Sequence, residues 1–214
     1  MAVRSNKRRW LTALFAAALM FAAAAALIVF MSRSEKMRVL TDEELAAALA
    51  GNEYAGDASR KLVESCVSLR GRVHYFWGGK YYKIGEDPDW GSPREVQSSG
   101  SSSSGTVRPY GLDCSGYVTW AYAQAGVKAA EIGDGTWMQW QNSDEIRFGD
   151  LAVGDLVFQY RYPGSNGNHV GICIGFLNGE PVFAHCSSAY DNVVVTTAGR
   201  VFRYARRPHA SLGS

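Results

Sequence analysis

Cys114 stands between Asp113 and the Ser115-Gly116 pair in GLDCSGYVTW, at the apparent start of a helix. Most cysteines are small buried hydrophobes, so position and partners must decide whether this one reacts. A thiol attacks only as thiolate; the unpaired N–H groups of a helix N-terminus favour that anion, and a nearby histidine can take the proton. The spacing predicts a helix over 113–126 with Asp113 as N-cap, Cys114, Val118, Ala121 and Ala125 on the inward face, and Gly126 as its stop. Gly116 is expected to leave room for a substrate beside the first turn.

The chain holds four histidines, His74, His169, His185 and His209. His169 heads HVGICIG, whose alternation separates a bulky face (Val170, Ile172, Ile174, Phe176) from a face of small residues (Gly171, Cys173, Gly175) led by the histidine. Small residues permit close packing, and the cysteine-bearing helix is the expected occupant, which would bring Cys114 near His169. A catalytic histidine also needs a partner to hold its tautomer, and His185 in FAHCSSA is the best placed. A two-residue Asn178-Gly179 turn would set His185 opposite Ile172, on the wrong face. A one-residue shift, by a three-residue loop or a bulge, would set it opposite Cys173 and beside His169, and would also turn Cys186 away from Cys173.

These residues need elements to position them. The chain has 214 residues, 47% hydrophobic and 20% charged, enough for one domain with a core. Residues 1–9 carry Arg4, Lys7, Arg8 and Arg9 and precede an uncharged apolar run from Trp10 to Met31, long enough to span a bilayer with the N-terminus inside. A cleaved secretory signal is the competing reading. Beyond Met31 the chain has 18 basic against 20 acidic residues, net −2, so nucleic acid is not an expected partner. Cys66, Cys114, Cys173 and Cys186 could form two disulfides in an exported domain, but their spacing matches neither a small disulfide scaffold nor a zinc site.

Within 32–56, TDEELAAALA opens on a Thr41–Glu44 capping box and reads as a stalk or docking helix. A second helix is expected over DASRKLVESCVSLRG, with Leu62, Cys66 and Leu69 at helical spacing. From about 80 to 110 the chain has little periodicity and a Ser/Gly run at 98–105, read as a mobile surface loop. GDLVFQYRY, HVGICIGF, PVFAHCSSA, DNVVVTT and GRVFRYARR read as strands. Helices followed by antiparallel strands make an α+β fold.

In this order HYFWGG, GLDCSGYVTWAY, GDLVFQ, NHVGICIG and VFAHCSS resemble the NlpC/P60 peptidases, papain-like cysteine hydrolases of bacterial cell walls, over roughly 57–205. The resemblance implies Cys114 as nucleophile, His169 as general base, His185 as the residue that orients it, and Tyr75 near the thiol. It implies Asp113, Ser115 and Trp77 along the substrate groove, although capping alone explains the first two. The implied reaction is hydrolysis of the γ-D-glutamyl–diamino acid amide of peptidoglycan stem peptides, with no metal or cofactor, by a catalytic domain over 57–214 held on the outer side of the plasma membrane. A CHAP-like amidase or endopeptidase and a non-catalytic wall-binding module are the alternatives. The 80–110 segment departs from the short loop of relatives and is expected to reshape one wall of the cleft. Trp90, Trp137 and Trp140 could stack on ligands or simply pack. Arg200, Arg203, Arg206 and Arg207 read as a solvated strand edge or a site for anionic polymers.

Overall fold

The computed structural model describes residues 37–163, 167–197, 199 and 201–212. The basic tail and the apolar run to Met31 lie outside the described residues, and among the described residues no helix is long and apolar enough to cross a membrane.

Helix α1 (Asp42–Ala50) begins as its sequence requires: Thr41 Oγ1 accepts the Glu44 N–H at 3.2 Å and Glu44 returns a carboxylate to the Thr41 N–H at 3.1 Å. It docks. Leu45 and Ala48 are buried in the main core, and the Asn52 side chain just beyond donates to the Ile174 carbonyl at 2.8 Å. Helix α2 (Asp57–Ser68) buries Leu62, Val63 and Cys66. The Tyr117 hydroxyl of the next long helix donates to the Cys66 carbonyl at 2.9 Å, joining the two.

That helix, α3 (Cys114–Gln124), follows the N-cap Asp113 and ends before Gly126 at φ 90°. All eleven of its residues are buried, so the single inward stripe expected from the sequence is too narrow a description. A helix buried on every side marks the centre of the domain. Two short helices, α4 (Ala129–Ile132) and α5 (Thr136–Gln141), lead from it to the sheet.

The segment read as a mobile loop is an ordered hairpin of β1 (Pro93–Glu95) and β2 (Val107–Pro109). Val96 and Tyr110 bury themselves against Phe76, supplying the apolar surface that the Ser/Gly run lacks. Serine and threonine hydroxyls close the turn: Ser104 donates to the Ser98 carbonyl at 2.7 Å and Thr106 to that of Ser103 at 2.6 Å.

The main sheet is antiparallel, in the order β3 (Ser143–Ile146), β8 (Tyr204–Pro208), β4 (Leu156–Phe158), β5 (Val170–Leu177), β6 (Glu180–Ser187), β7 (Asn192–Thr197). Strand β8 therefore lies inside the sheet, not at its edge. Arg206 donates to Ser143 and covers the Trp140 ring, and Arg207 is spent on Asp155. Arg200 lies outside the described residues.

The β5–β6 hairpin settles the register question with a bulge, one of the two devices the sequence reading named, but it keeps the simple turn and shifts the pairing in the opposite direction. Asn178 and Gly179, at φ 52° and 81°, form the simple two-residue turn and pair Leu177 with Glu180. The register then slips within β5, where Ile174 has no partner between the Cys173–Phe183 and Gly175–Val182 pairs. This bulge sets His185 beside Gly171, not Cys173, and moves Phe176 away from the face of Val170, Ile172 and Ile174. All four cysteines are free thiols.

Candidate active site

Cys114 is the first residue of α3 and is 4% exposed. Its thiol donates to the Asn168 carbonyl at 3.7 Å, one residue before His169. The packing that achieves this differs from the expectation. Helix α3 lies in the core with the bulky face of β5, Val170, Ile172 and Ile174. Cys114 meets the backbone at the head of that strand.

The small face instead receives Phe202. A Cβ on Gly171 would stand 3.0 Å from the Phe202 ring, which stacks on His169 at 5.4 Å and meets His185 edge-on at 5.3 Å. His169 Nε2 and His185 Nδ1 are 2.9 Å apart, and His185 Nε2 is 3.0 Å from Thr196 Oγ1. With the proton of each imidazole on Nε2, His169 donates to His185 and His185 to Thr196. The Nδ1 of His169 then remains as a base for the thiol proton. Asn168 braces the approach, its Oδ1 accepting the N–H groups of Tyr160 and His169, both at 2.9 Å.

Burial dominates the protonation of this group. It pushes the Cys114 thiol up to about 12, aided by the charge of Asp113 and opposed by the Val170 N–H, by Lys80 and by the Ser115 N–H. Burial also lowers His169 to about 4, and burial together with His169 holds His185 well below the usual imidazole range. Burial therefore outweighs the helix N-terminus, which the sequence reading expected to favour the anion: thiol and imidazole are both neutral here.

Tyr75 is half-buried. Its backbone runs beside Leu112, two residues before Cys114, and burial, then the charges of Cys114 and Asp113, push its hydroxyl pKa upward. It stays protonated, as a donor. Trp77 is also half-buried and donates its indole N–H to the Ser99 carbonyl at 2.8 Å.

Asp113 and Ser115 are engaged within the protein. They are 6% and 5% exposed and spent on each other, with Ser115 Oγ donating to Asp113 Oδ1 at 2.8 Å, the same oxygen that caps the Gly116 N–H at 2.6 Å. The room at Gly116 is likewise taken, since a Cβ there would stand 2.1 Å from the Gly79 carbonyl oxygen. Backbone, not substrate, fills that space. Trp140 is core, against Phe158 and Tyr204, and Trp90 packs on Tyr81 and Trp120; Trp137 is 48% exposed. Sequence reasoning missed Thr196, Phe202 and Lys80, which holds Asp113.

A cysteine at the start of a buried helix, a histidine at the head of an antiparallel sheet and a second histidine behind it define a papain-like arrangement. Residues 72–201 match the NlpC/P60 family, and the chain belongs to that family. Among solved structures it is similar to the peptidoglycan hydrolase RipB of Mycobacterium tuberculosis, with 25% identity and a TM-score of 0.51, over 72% of this chain and 65% of that one. It also shares its fold with RipD of the same organism, a non-catalytic NlpC/p60 domain protein adapted to peptidoglycan binding. There the identity is 18% and the TM-score 0.51, over 72% of this chain and 98% of that one. No curated protein matches the chain.

Proposed function

We propose that the protein is a cysteine peptidase that hydrolyses the γ-D-glutamyl–diamino acid amide of peptidoglycan stem peptides. The observation that carries this reading is the chain His169–His185–Thr196 at the head of β5, beside the Asn168 carbonyl to which the Cys114 thiol donates. A binding module has no need of a buried imidazole pair behind a helix-start thiol. The family membership and the likeness to RipB support the substrate class.

In this mechanism His169 Nδ1 takes the Cys114 proton as the thiolate attacks the γ-D-glutamyl carbonyl. Backbone N–H groups at the start of α3 stabilise the oxyanion, with the Tyr75 hydroxyl as a further donor. The imidazolium returns its proton to the leaving amine, and water, deprotonated by His169, releases the acyl group. His185 holds the ring throughout. Because the resting thiol and imidazole are both neutral, proton transfer accompanies attack on the carbonyl, and the negative charge develops on the oxyanion at the helix N-terminus rather than on a resting thiolate.

The basic residues before Trp10 and the apolar run to Met31 support a location on the outer face of the plasma membrane, tethered beside the wall. Purified muropeptides incubated with the full chain and read by mass spectrometry test the reaction. Fragments ending at γ-D-Glu are expected. Release of the whole stem peptide would favour the CHAP-like amidase, and intact muropeptides that co-purify with the folded protein would favour a wall-binding module.

A further inference from the structure

Lys80 opens the hairpin segment and reaches back to the nucleophile helix. Its Nζ lies 2.7 and 2.9 Å from the two Asp113 carboxylate oxygens and donates to Ser115 Oγ at 2.6 Å. The ammonium thus spans both neighbours of Cys114, and the Lys80 and Asp113 side chains are only 20% and 9% exposed. Asp113 is required where it is, since it caps α3 through Gly116 and accepts the Gly78 N–H at 3.2 Å. The cap that orders the helix therefore sets a negative charge against the position where a thiolate must form.

We propose that Lys80 is an electrostatic positioning residue for Cys114, neutralising the Asp113 carboxylate so that the thiolate can form beside it. The proposal rests on the reading of Cys114 as nucleophile. The groups around the thiol are Asp113 at the cap of its own helix, Lys80 from the hairpin segment, Tyr75 before it, the Asn168 carbonyl next to His169 at the head of β5, and Cys186 on β6. Lys80 is the cation of this set. Asp134 reaches it as well, at 3.8 Å, from a more exposed position.

The rate of Cys114 alkylation by iodoacetamide, followed from pH 6 to 10 on the full chain and located by peptide mapping against Cys114→Ala, tests this. Lys80→Met is expected to slow alkylation about tenfold at every pH of this range, which lies below the titration of the buried thiol. Lys80→Arg should keep the original rates, and Lys80→Met with Asp113→Asn should restore them, because that pair removes both charges and keeps an N-cap. If Lys80→Met alone fails to fold, Asp113→Asn alone carries the test: with the cation unopposed, it should be alkylated faster than the double variant. Superposed profiles for Lys80→Met and the original chain, or for Asp113→Asn and the double variant, would overturn the proposal. Muropeptide turnover does not enter the readout, so failure of the peptidase reading and failure of this one are separable.

Discussion

At the scale of single residues the site joins a buried thiol, one residue from His169, to a hydrogen-bonded chain of His169, His185 and Thr196. His185→Ala removes the acceptor of the His169 Nε2 proton and frees the ring to turn. We expect kcat on muropeptides to fall about a hundredfold with a smaller change in KM, whereas Thr196→Val, one step further out, should cost less than tenfold. The buried imidazoles also bear on stability. A histidine with a lowered folded-state pKa binds fewer protons folded than unfolded, so stability falls as pH drops below about 6.5 and goes on falling towards 4, the value for His169. For half-buried His169 the loss between pH 7 and 5 is about 1–2 kcal/mol. Urea titrations at the two pH values measure it, and a His169→Gln variant should show a shallower dependence; equal slopes would contradict this origin. Cys114, His169 and His185 were legible in the sequence because each sits at a recognisable start or alternation. Lys80 and Phe202 were not: Lys80 reaches Asp113 from a segment without periodicity, and Phe202 reaches the histidines from a connection before β8, so neither contact leaves a local pattern.

At the scale of elements, close backbone approach holds the nucleophile helix. Gly116→Ala would push a Cβ into the Gly79 carbonyl, which is backbone and cannot rotate away. A loss of about 3 kcal/mol is expected, together with displacement of Lys80 from Asp113; thermal melts and alkylation kinetics on the same variant check both. The imidazole pair depends on the β5 bulge, whose free carbonyl at Ile174 is taken by Asn52. The sequence announced the turn through Asn178-Gly179, but a bulge inside an apolar run has no signature of its own; only the demand that the two histidines share a face required a shift. Strand β3 escaped for a similar reason, since Ser143–Ile146 carries two exposed acidic residues and almost no apolar alternation. The hairpin of the 80–110 segment was hidden because its apolar contacts, Val96 and Tyr110, flank the serine run at a distance and meet on Phe76, outside it.

At the scale of the whole molecule, the described residues from Met37 onward form one compact unit with a shared core. Leu40 and Leu45, 1% and 6% exposed, belong to it, so a chain beginning at Asp57 would lose roughly 2 kcal/mol for each. That is a large part of an ordinary domain's stability. A chain beginning at Met37 should melt cooperatively, and one beginning at Asp57 should melt far lower or aggregate; equal melting temperatures would show that α1 is dispensable. The α+β class and the order of the main helices and strands were legible from periodicity and turn residues, whereas the burial of α3 on every side arises from tertiary packing that periodicity does not encode.

The central claim is that Cys114 attacks the γ-D-glutamyl carbonyl. The most direct test is the intact mass of the full chain after exposure to L-Ala-γ-D-glutamyl chloromethyl ketone, which places an electrophile at the scissile position. The account predicts one label per chain, mapped to Cys114, absent in Cys114→Ala and slower in His169→Ala. A label on Cys66, Cys173 or Cys186 instead, or no label on a folded chain that still binds peptidoglycan, would contradict it.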